Sequence, residues 1–180
     1  MMQRKIAIPH DDSRGFTLAE VMIASMVLMI GLLAVAGMFP VGYGQVADAG
    51  RLTLAVTGAR QILEDVGALP FANLVNLSGF DTTNPATLPA NDPELAIARR
   101  WRYMLAGSGS GFSFTTAETT AWGTVTPFGG RAQVQIRQVD NAGNVCPAAA
   151  TTCRAVVTIT MPGQPAPTTV TLSTILVRMF

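Results

Sequence analysis

The feature that most constrains this chain is an uncharged run at residues 21–39, Val-Met-Ile-Ala-Ser-Met-Val-Leu-Met-Ile-Gly-Leu-Leu-Ala-Val-Ala-Gly-Met-Phe. Arg4, Lys5 and Arg14 precede it, Glu20 stands at its entrance, and the next charges are Asp48 and Arg51. A helix over 16–39, rising about 1.5 Å per residue, is roughly 36 Å long, slightly more than a hydrocarbon core of about 30 Å. Modest tilt absorbs the excess. Cations on the amino side predict that this end stays in the cytoplasm and that everything after Phe39 emerges on the outer face of the inner membrane. A secretory signal peptide has an apolar core of about 7 to 15 residues ending at a small-x-small cut site, and this run is longer. A plain signal anchor explains the length but leaves Glu20 without a counter-charge, since no cation follows nearby. Cleavage before Phe16 would create an α-amine one helical turn before Glu20, with an ordinary pKa of about 7.7 to 8.0. On one helix the two charges help each other only partly, whereas between neighbouring chains their pairing also sets axial register.

Gly15-Phe16-Thr17-Leu18-Ala19-Glu20-Val21 resembles the prepilin processing motif of type IV pilins and type II secretion pseudopilins. That family has a short basic leader ending in glycine, a first mature residue that is usually phenylalanine, a glutamate at the fifth mature position and a long apolar helix. All four are present, with Ala19 where leucine is common. The resemblance is strong over 14–39 and extends to the rest only in outline. It implies that Gly15 is what a prepilin peptidase needs before the cut, that Phe16 becomes the N-methylated terminus, and that Glu20 pairs with an adjacent subunit's amine during assembly. Residues 30–37, followed by an amphipathic stretch ending at Leu69-Pro70-Phe71, are similar to the minor pilins known as PilV-like modification proteins.

The same resemblance implies an α+β fold: a long N-terminal transmembrane and amphipathic helix packed on a small antiparallel β-sheet head. The expected divisions are a leader at 1–15, a membrane or filament-core helix at 16–39, its amphipathic continuation at 40–70, and a periplasmic or extracellular head at 71–180. Implied partners are a prepilin peptidase and N-methyltransferase, other pilins through the N-terminal helix, an inner-membrane assembly platform, and lipid before assembly. No cofactor or metal is implied. The expected location is the inner membrane, then a pilus or periplasmic pseudopilus.

With 180 residues there is room for one such helix and one modest head. Net charge is +1, so no overall field recruits a polyanion, and nucleic-acid binding gains nothing from it. The single lysine, Lys5, and single histidine, His10, both precede Phe16. A chain cut there has no imidazole for a catalytic triad or a zinc site.

Gly31, Gly37 and Pro40 predict a bend or loosened turn near Pro40. Leu52, Val56, Ala59, Ile62, Leu63 and Val66 then recur at three- and four-residue steps and mark an amphipathic helix, with Arg60 and Glu64 spaced to pair and Gly67 and Pro70 as its stop. Residues 73–93, rich in Asn, Thr, Ser, Pro and Gly, read as a surface loop. Residues 99–103, Arg-Arg-Trp-Arg-Tyr, alternate like a strand with Trp101 and Tyr103 on one face and Arg100 and Arg102 on the other. The same residues offer an anionic or nucleic-acid surface as a competing reading. Residues 107–111, Gly-Ser-Gly-Ser-Gly, lack the ending of a phosphate loop and the Gly-x-Ser-x-Gly of a hydrolase, and read as a flexible connector.

Three segments, 132–139, 154–161 and 169–177, alternate as half-covered antiparallel strands, with Val134 and Ile136 on one face and Gln133, Gln135 and Arg137 on the other. Turns are expected at 140–144 and 162–165. Cys146 and Cys153 are the only cysteines. In an exported head they read as a disulfide contributing about 2 to 3 kcal/mol, since neither Cys-x-x-Cys nor further zinc ligands are present. Three function classes follow: a filament subunit, as minor pilin or as type II secretion pseudopilin; the same anchor bearing a tip adhesin or DNA-uptake head; and a membrane-tethered enzyme. The last has little behind it, because Asp81, Asp92, Glu94, Glu118 and Asp140 form no recognisable pair.

Overall fold

Long stretches of Leu, Met, Ala and Val favour helix near the start, and β-branched alternation favours strands near the end. The computed structural model, which describes residues 15–140, 144–163 and 166–178, follows that division. It contains α1 (Leu18–Ala68), a 3-10 helix (Phe71–Leu77), β1 (Phe80–Asp81), a 3-10 turn (Pro85–Thr87), α2 (Glu94–Ala106), α3 (Thr116–Trp122), β2 (Arg131–Gln138), β3 (Thr152–Met161) and β4 (Thr168–Val177). The chain divides into two compact units, Met1–Gly44 and Gln45–Phe180. Together these elements are a pilin-like α+β fold.

In the first unit every described residue is exposed, including the large apolar side chains of the span. Pro40 lies inside α1, which continues without a break where the sequence predicts a loosened turn. A proline removes one donor and leaves the neighbouring ladder to carry the helix.

In the second unit the sheet has order β1-β2-β3-β4 with every pair antiparallel. β2 pairs with β3 from Arg131 opposite Thr160 to Gln138 opposite Cys153, and β3 with β4 from Thr152 opposite Val177 to Met161 opposite Thr168. Period-two alternation buries Ala132, Val134 and Ile136 on β2, and Cys153, Ala155, Val157, Ile159 and Met161 on β3. These join the core with Ala55, Ala59, Ile62 and Val66 of α1. The buried stripe of α1 is therefore rotated from the predicted one: Leu52 is 48% exposed and Val56 and Leu63 are half-buried. Small residues set this choice. A Cβ on Gly58 would lie 3.1 Å from Ile159 Cδ1, so the helix approaches the sheet where it carries the least side chain. Arg60 and Glu64 do not form an ion pair; those among the described residues are Arg51 with Asp48, Arg99 with Glu118 and Arg131 with Asp81.

Residues 99–103 are helical, not a strand, because they sit within α2, whose buried positions Glu94, Ala98, Trp101, Arg102 and Leu105 follow helical spacing. Five alternating residues were too short a window to outweigh the helix-forming Leu95, Ala96, Ile97 and Ala98 before them. Trp101 is fully buried and is worth about 3 to 5 kcal/mol on the scale of aromatic-to-alanine losses.

Residues 73–93 are likewise not simply a surface loop. Leu74, Leu77 and Phe80 are buried, and β1 pairs with β2. The polar residues that suggested a loop satisfy the backbone instead: Ala132 N–H donates to Thr82 Oγ1 at 2.8 Å and Ile136 N–H to Ser78 Oγ at 3.3 Å. The 107–111 segment forms a tight turn in which Gly109 and Phe112 exchange backbone hydrogen bonds of 3.0 Å. Gly107, Gly109, Ser110 and Gly111 all have positive φ there, conformations for which glycine is suited. The expected turns at 140–144 and 162–165 fall partly outside the described residues.

Candidate processing and assembly site

The start of α1 is a capping box. The helix begins at Leu18, which makes Thr17 its N-cap and Glu20 its third residue. Glu20 N–H donates to Thr17 Oγ1 at 3.3 Å, while Thr17 N–H and Thr17 Oγ1–H each donate to Glu20 Oε2 at 3.0 Å. This reciprocal arrangement satisfies two donors that a helix terminus otherwise leaves open. Thr17-Leu18-Ala19-Glu20 is the sequence signature of such a box, and it was readable as one. The carboxylate also lies in the first turn, where the helix dipole favours negative charge.

Gly15 and Phe16 precede the box. Nothing lies within 4 Å of where a Cβ on Gly15 would stand, and Phe16 is 86% exposed. Among the described residues no cation pairs with Glu20. Downstream, Ser25 is the one hydroxyl in the apolar run, and its Oγ–H donates to its own helix at Met22 O, 2.9 Å away. Residues 21–39 thus present an exposed apolar helical surface whose one hydroxyl is bonded to its own helix. One helix, α1, is long and apolar enough to cross a membrane.

The two cysteines lie in the second unit. Cys146 and Cys153 are bonded, with Cα atoms 5.8 Å apart, and both are buried. Cys146 N–H donates to Ile136 O at 3.0 Å, which ties the loop before β3 back to β2.

The competing cationic and aromatic surface at 99–103 is mostly consumed by packing. Arg99 donates through Nε and Nη2 to Glu118 at 2.6 and 2.9 Å. Trp101 Nε1–H donates to Asp65 Oδ2 at 2.7 Å. Arg102 is 4% exposed, donates to the carbonyls of Thr82 and Gly109 at 3.0 and 3.1 Å, and stacks over Phe112. Tyr103 packs with Phe114 and Trp122, ring centroids 5.3 and 5.5 Å away, and its hydroxyl donates to Gly123 O. Only Arg100 of the five remains without such a partner. This is not the open stacking platform that single-stranded nucleic acid requires.

The acids are brought to arginines, not to one another. Arg131 Nε donates to Asp81 Oδ1 and Oδ2 at 3.1 and 3.0 Å, and its Nη2 also contacts Oδ2. Thr83 and Gln133 donate to the same carboxylate. Partial burial raises the pKa of Asp81, but Arg131, Thr83 and Gln133 outweigh it and leave the group at about 2. Arg99, opposed by burial and helped by hydrogen bonds from Thr115, draws Glu118 down to about 2 as well. Both are fixed anions at neutral pH. Asp92, just before the start of α2, accepts from Ala96 N–H in its first turn at 3.1 Å. Glu94 is 1% exposed, and its Oε1 has no hydrogen-bond partner. Sequence reasoning missed the Asp81 and Glu118 pairs, whose partners lie 50 and 19 residues away with no local signal. Among the described residues no cluster of three His, Cys, Asp or Glu could hold a metal.

Comparison with curated proteins gives no match, and comparison with solved structures gives none either. Residues 11–36 match the family described as the prokaryotic N-terminal methylation motif, so the segment that carries Gly15, Phe16 and Glu20 is type IV prepilin-like.

Proposed function

We propose that this chain is a structural subunit of a type IV pilus or a related filament, made as a precursor and trimmed between Gly15 and Phe16. The observation that carries the reading is the methylation-motif match over 11–36 at the head of an exposed apolar helix. A prepilin peptidase would cut after Gly15 and methylate the new amine of Phe16. Before assembly the helix over 16–39 sits in lipid as a single pass, with the head in the periplasm. On assembly that helix exchanges lipid for the helices of other pilins, under the action of an inner-membrane platform. Removing apolar surface from lipid gains little by the hydrophobic effect, so the filament core is held by packing and by polar contacts.

Glu20 supplies the polar contact. Its carboxylate pairs with the Phe16 amine of a neighbouring subunit, which aligns the two helices axially and removes a lone charge from an apolar environment. Cys146 and Cys153 stabilise the exported head. Within the family we favour a PilV-type minor pilin, on the pattern at 30–37 and the amphipathic stretch ending at Leu69-Pro70-Phe71. A secretion pseudopilin is the alternative, and neighbouring genes for the assembly machinery decide between them.

Intact-mass and amino-terminal analysis of protein extracted from membranes of a host with working prepilin peptidase tests the reading. The expected result is a chain that begins at Phe16 with one added methyl group. A chain retaining residues 1–15 refutes it.

A further inference from the structure

β4 is an edge strand without edge protection. It pairs with β3 over ten residues in unbroken register, and from Thr168 to Val177 it contains no charge, proline or bulge. Natural sheets guard such edges with one of those devices, because unpaired N–H and C=O groups recruit another strand. The direction of its free groups follows from one bond. Arg178 N–H donates to Thr151 O at 2.8 Å, just beyond the pair formed by Thr152 and Val177. Val177 is therefore a non-hydrogen-bonded position, and alternation turns the N–H and C=O of Thr169, Thr171, Ser173, Ile175 and Val177 away from β3. All five residues are exposed.

The core also stops short at this edge. Val170, Leu172 and Leu176 point inward but are only partly buried. Beside them Val66, Leu69, Phe71 and Leu74 line an open groove that reaches Leu176. Hydrogen-bonding capacity and apolar surface thus end together along one line.

We propose that this edge is an interface for a second copy of the same chain, joined by antiparallel pairing of β4 with β4 about Ser173. That register sets Thr169 opposite Val177 and Thr171 opposite Ile175, and it alone uses all five outward positions of each copy. It sets Val170 opposite Leu176 on the inner face, so the apolar row continues across the seam. Arg178 falls opposite Thr168, and no like charges meet. A foreign peptide covers one edge and one groove, whereas a second copy covers two of each. Self-pairing therefore leaves neither copy's edge open, whereas a foreign strand added to β4 would still present an outer edge of its own. The inference rests on the second unit alone and stands apart from the reading of the amino terminus.

The test uses the full chain in detergent micelles under mild oxidation, read on non-reducing gels. Facing residues of a hydrogen-bonded antiparallel pair have Cα atoms about 5.5 Å apart, within disulfide reach. S173C is expected to form dimer several-fold faster than T120C, a control at an exposed position on α3. T169C mixed with V177C is expected to cross-link more than either does alone. Adding Thr171→Pro to both mixed chains removes an outward N–H that β3 does not use, so cross-linking is lost while thermal stability holds. In the unmodified chain, amides of the five outward residues exchange more slowly as protein concentration rises. Equal dimer from S173C and T120C, cross-linking that survives Thr171→Pro, or exchange independent of concentration overturns the proposal. Cross-linking of S173C only to a different polypeptide in cells also overturns it.

Discussion

Replacing Asp81 by Asn keeps the shape of the side chain and removes its charge, so it isolates what the pair with Arg131 contributes to the head. Asp81 ionises at about 2 in the fold, against 3.8 for the free group. That difference corresponds to about 2 kcal/mol at neutral pH. The Arg131 side chain is 48% exposed, and solvent screening trims the figure to about 1 to 2 kcal/mol. For a unit of this size the loss lowers the melting temperature by about 3 to 7 °C. Because folding depresses the pKa of this acid, its stabilisation is complete above the unfolded value and fades as pH falls from about 4 through about 2. Glu118 titrates over the same range, but it does so in both proteins and cancels in their difference. Thermal unfolding followed by circular dichroism, in nonionic detergent at neutral pH and again near pH 2, is expected to show a gap that closes in acid. Equal melting at neutral pH, or a gap of the same size near pH 2, refutes the reasoning.

Gly15→Leu is expected to leave uncut precursor in the membrane, seen as a slower band on immunoblots; normal trimming removes Gly15 from its assigned role. Glu20→Ala is expected to be inserted and cut yet poorly recovered in sheared filament fractions, and normal recovery argues against pairing through that carboxylate. Thr17→Val removes the capping hydroxyl, so amide exchange at residues 19–21 is expected to quicken, with Thr17→Ser restoring the original rate. Unchanged exchange in the valine variant shows that the box does not order the first turn.

What could be read from the sequence was what local patterning dictates. The apolar run, the three alternating strands and the Gly67 and Pro70 stop all have neighbours in sequence as their causes, and the corresponding elements stand close to the expected residues. Residues 99–103 misled because a short alternation of cations and aromatics satisfies both periods, and the longer run from Glu94 to Ala106, with its buried positions at helical spacing, decides for the helix. Residues 73–93 misled for a different reason. Turn-forming side chains such as Ser78 and Thr82 serve distant strands as hydrogen-bond partners, and composition alone does not distinguish solvent from a neighbouring strand as the thing they satisfy. At the amino-terminal site Gly15, Phe16 and Glu20 were legible as a motif. The bond between Thr17 and Glu20 is as local in origin, a threonine three residues before a glutamate at the entrance of an apolar run.

The close seat of α1 on the sheet makes the head's tolerance of change lopsided. At Ala55, Gly58 and Ala59 the helix has almost nothing to give up, and even one methyl on Gly58 must displace the tip of Ile159. The strand side carries the bulk and has freedom to trade one branched residue for another of equal volume. Divergence among relatives of this head should therefore accumulate on the strands while the helix stays small, and an engineer wishing to stiffen it should reshape Ile159 or Leu105 before touching the backbone they lean on.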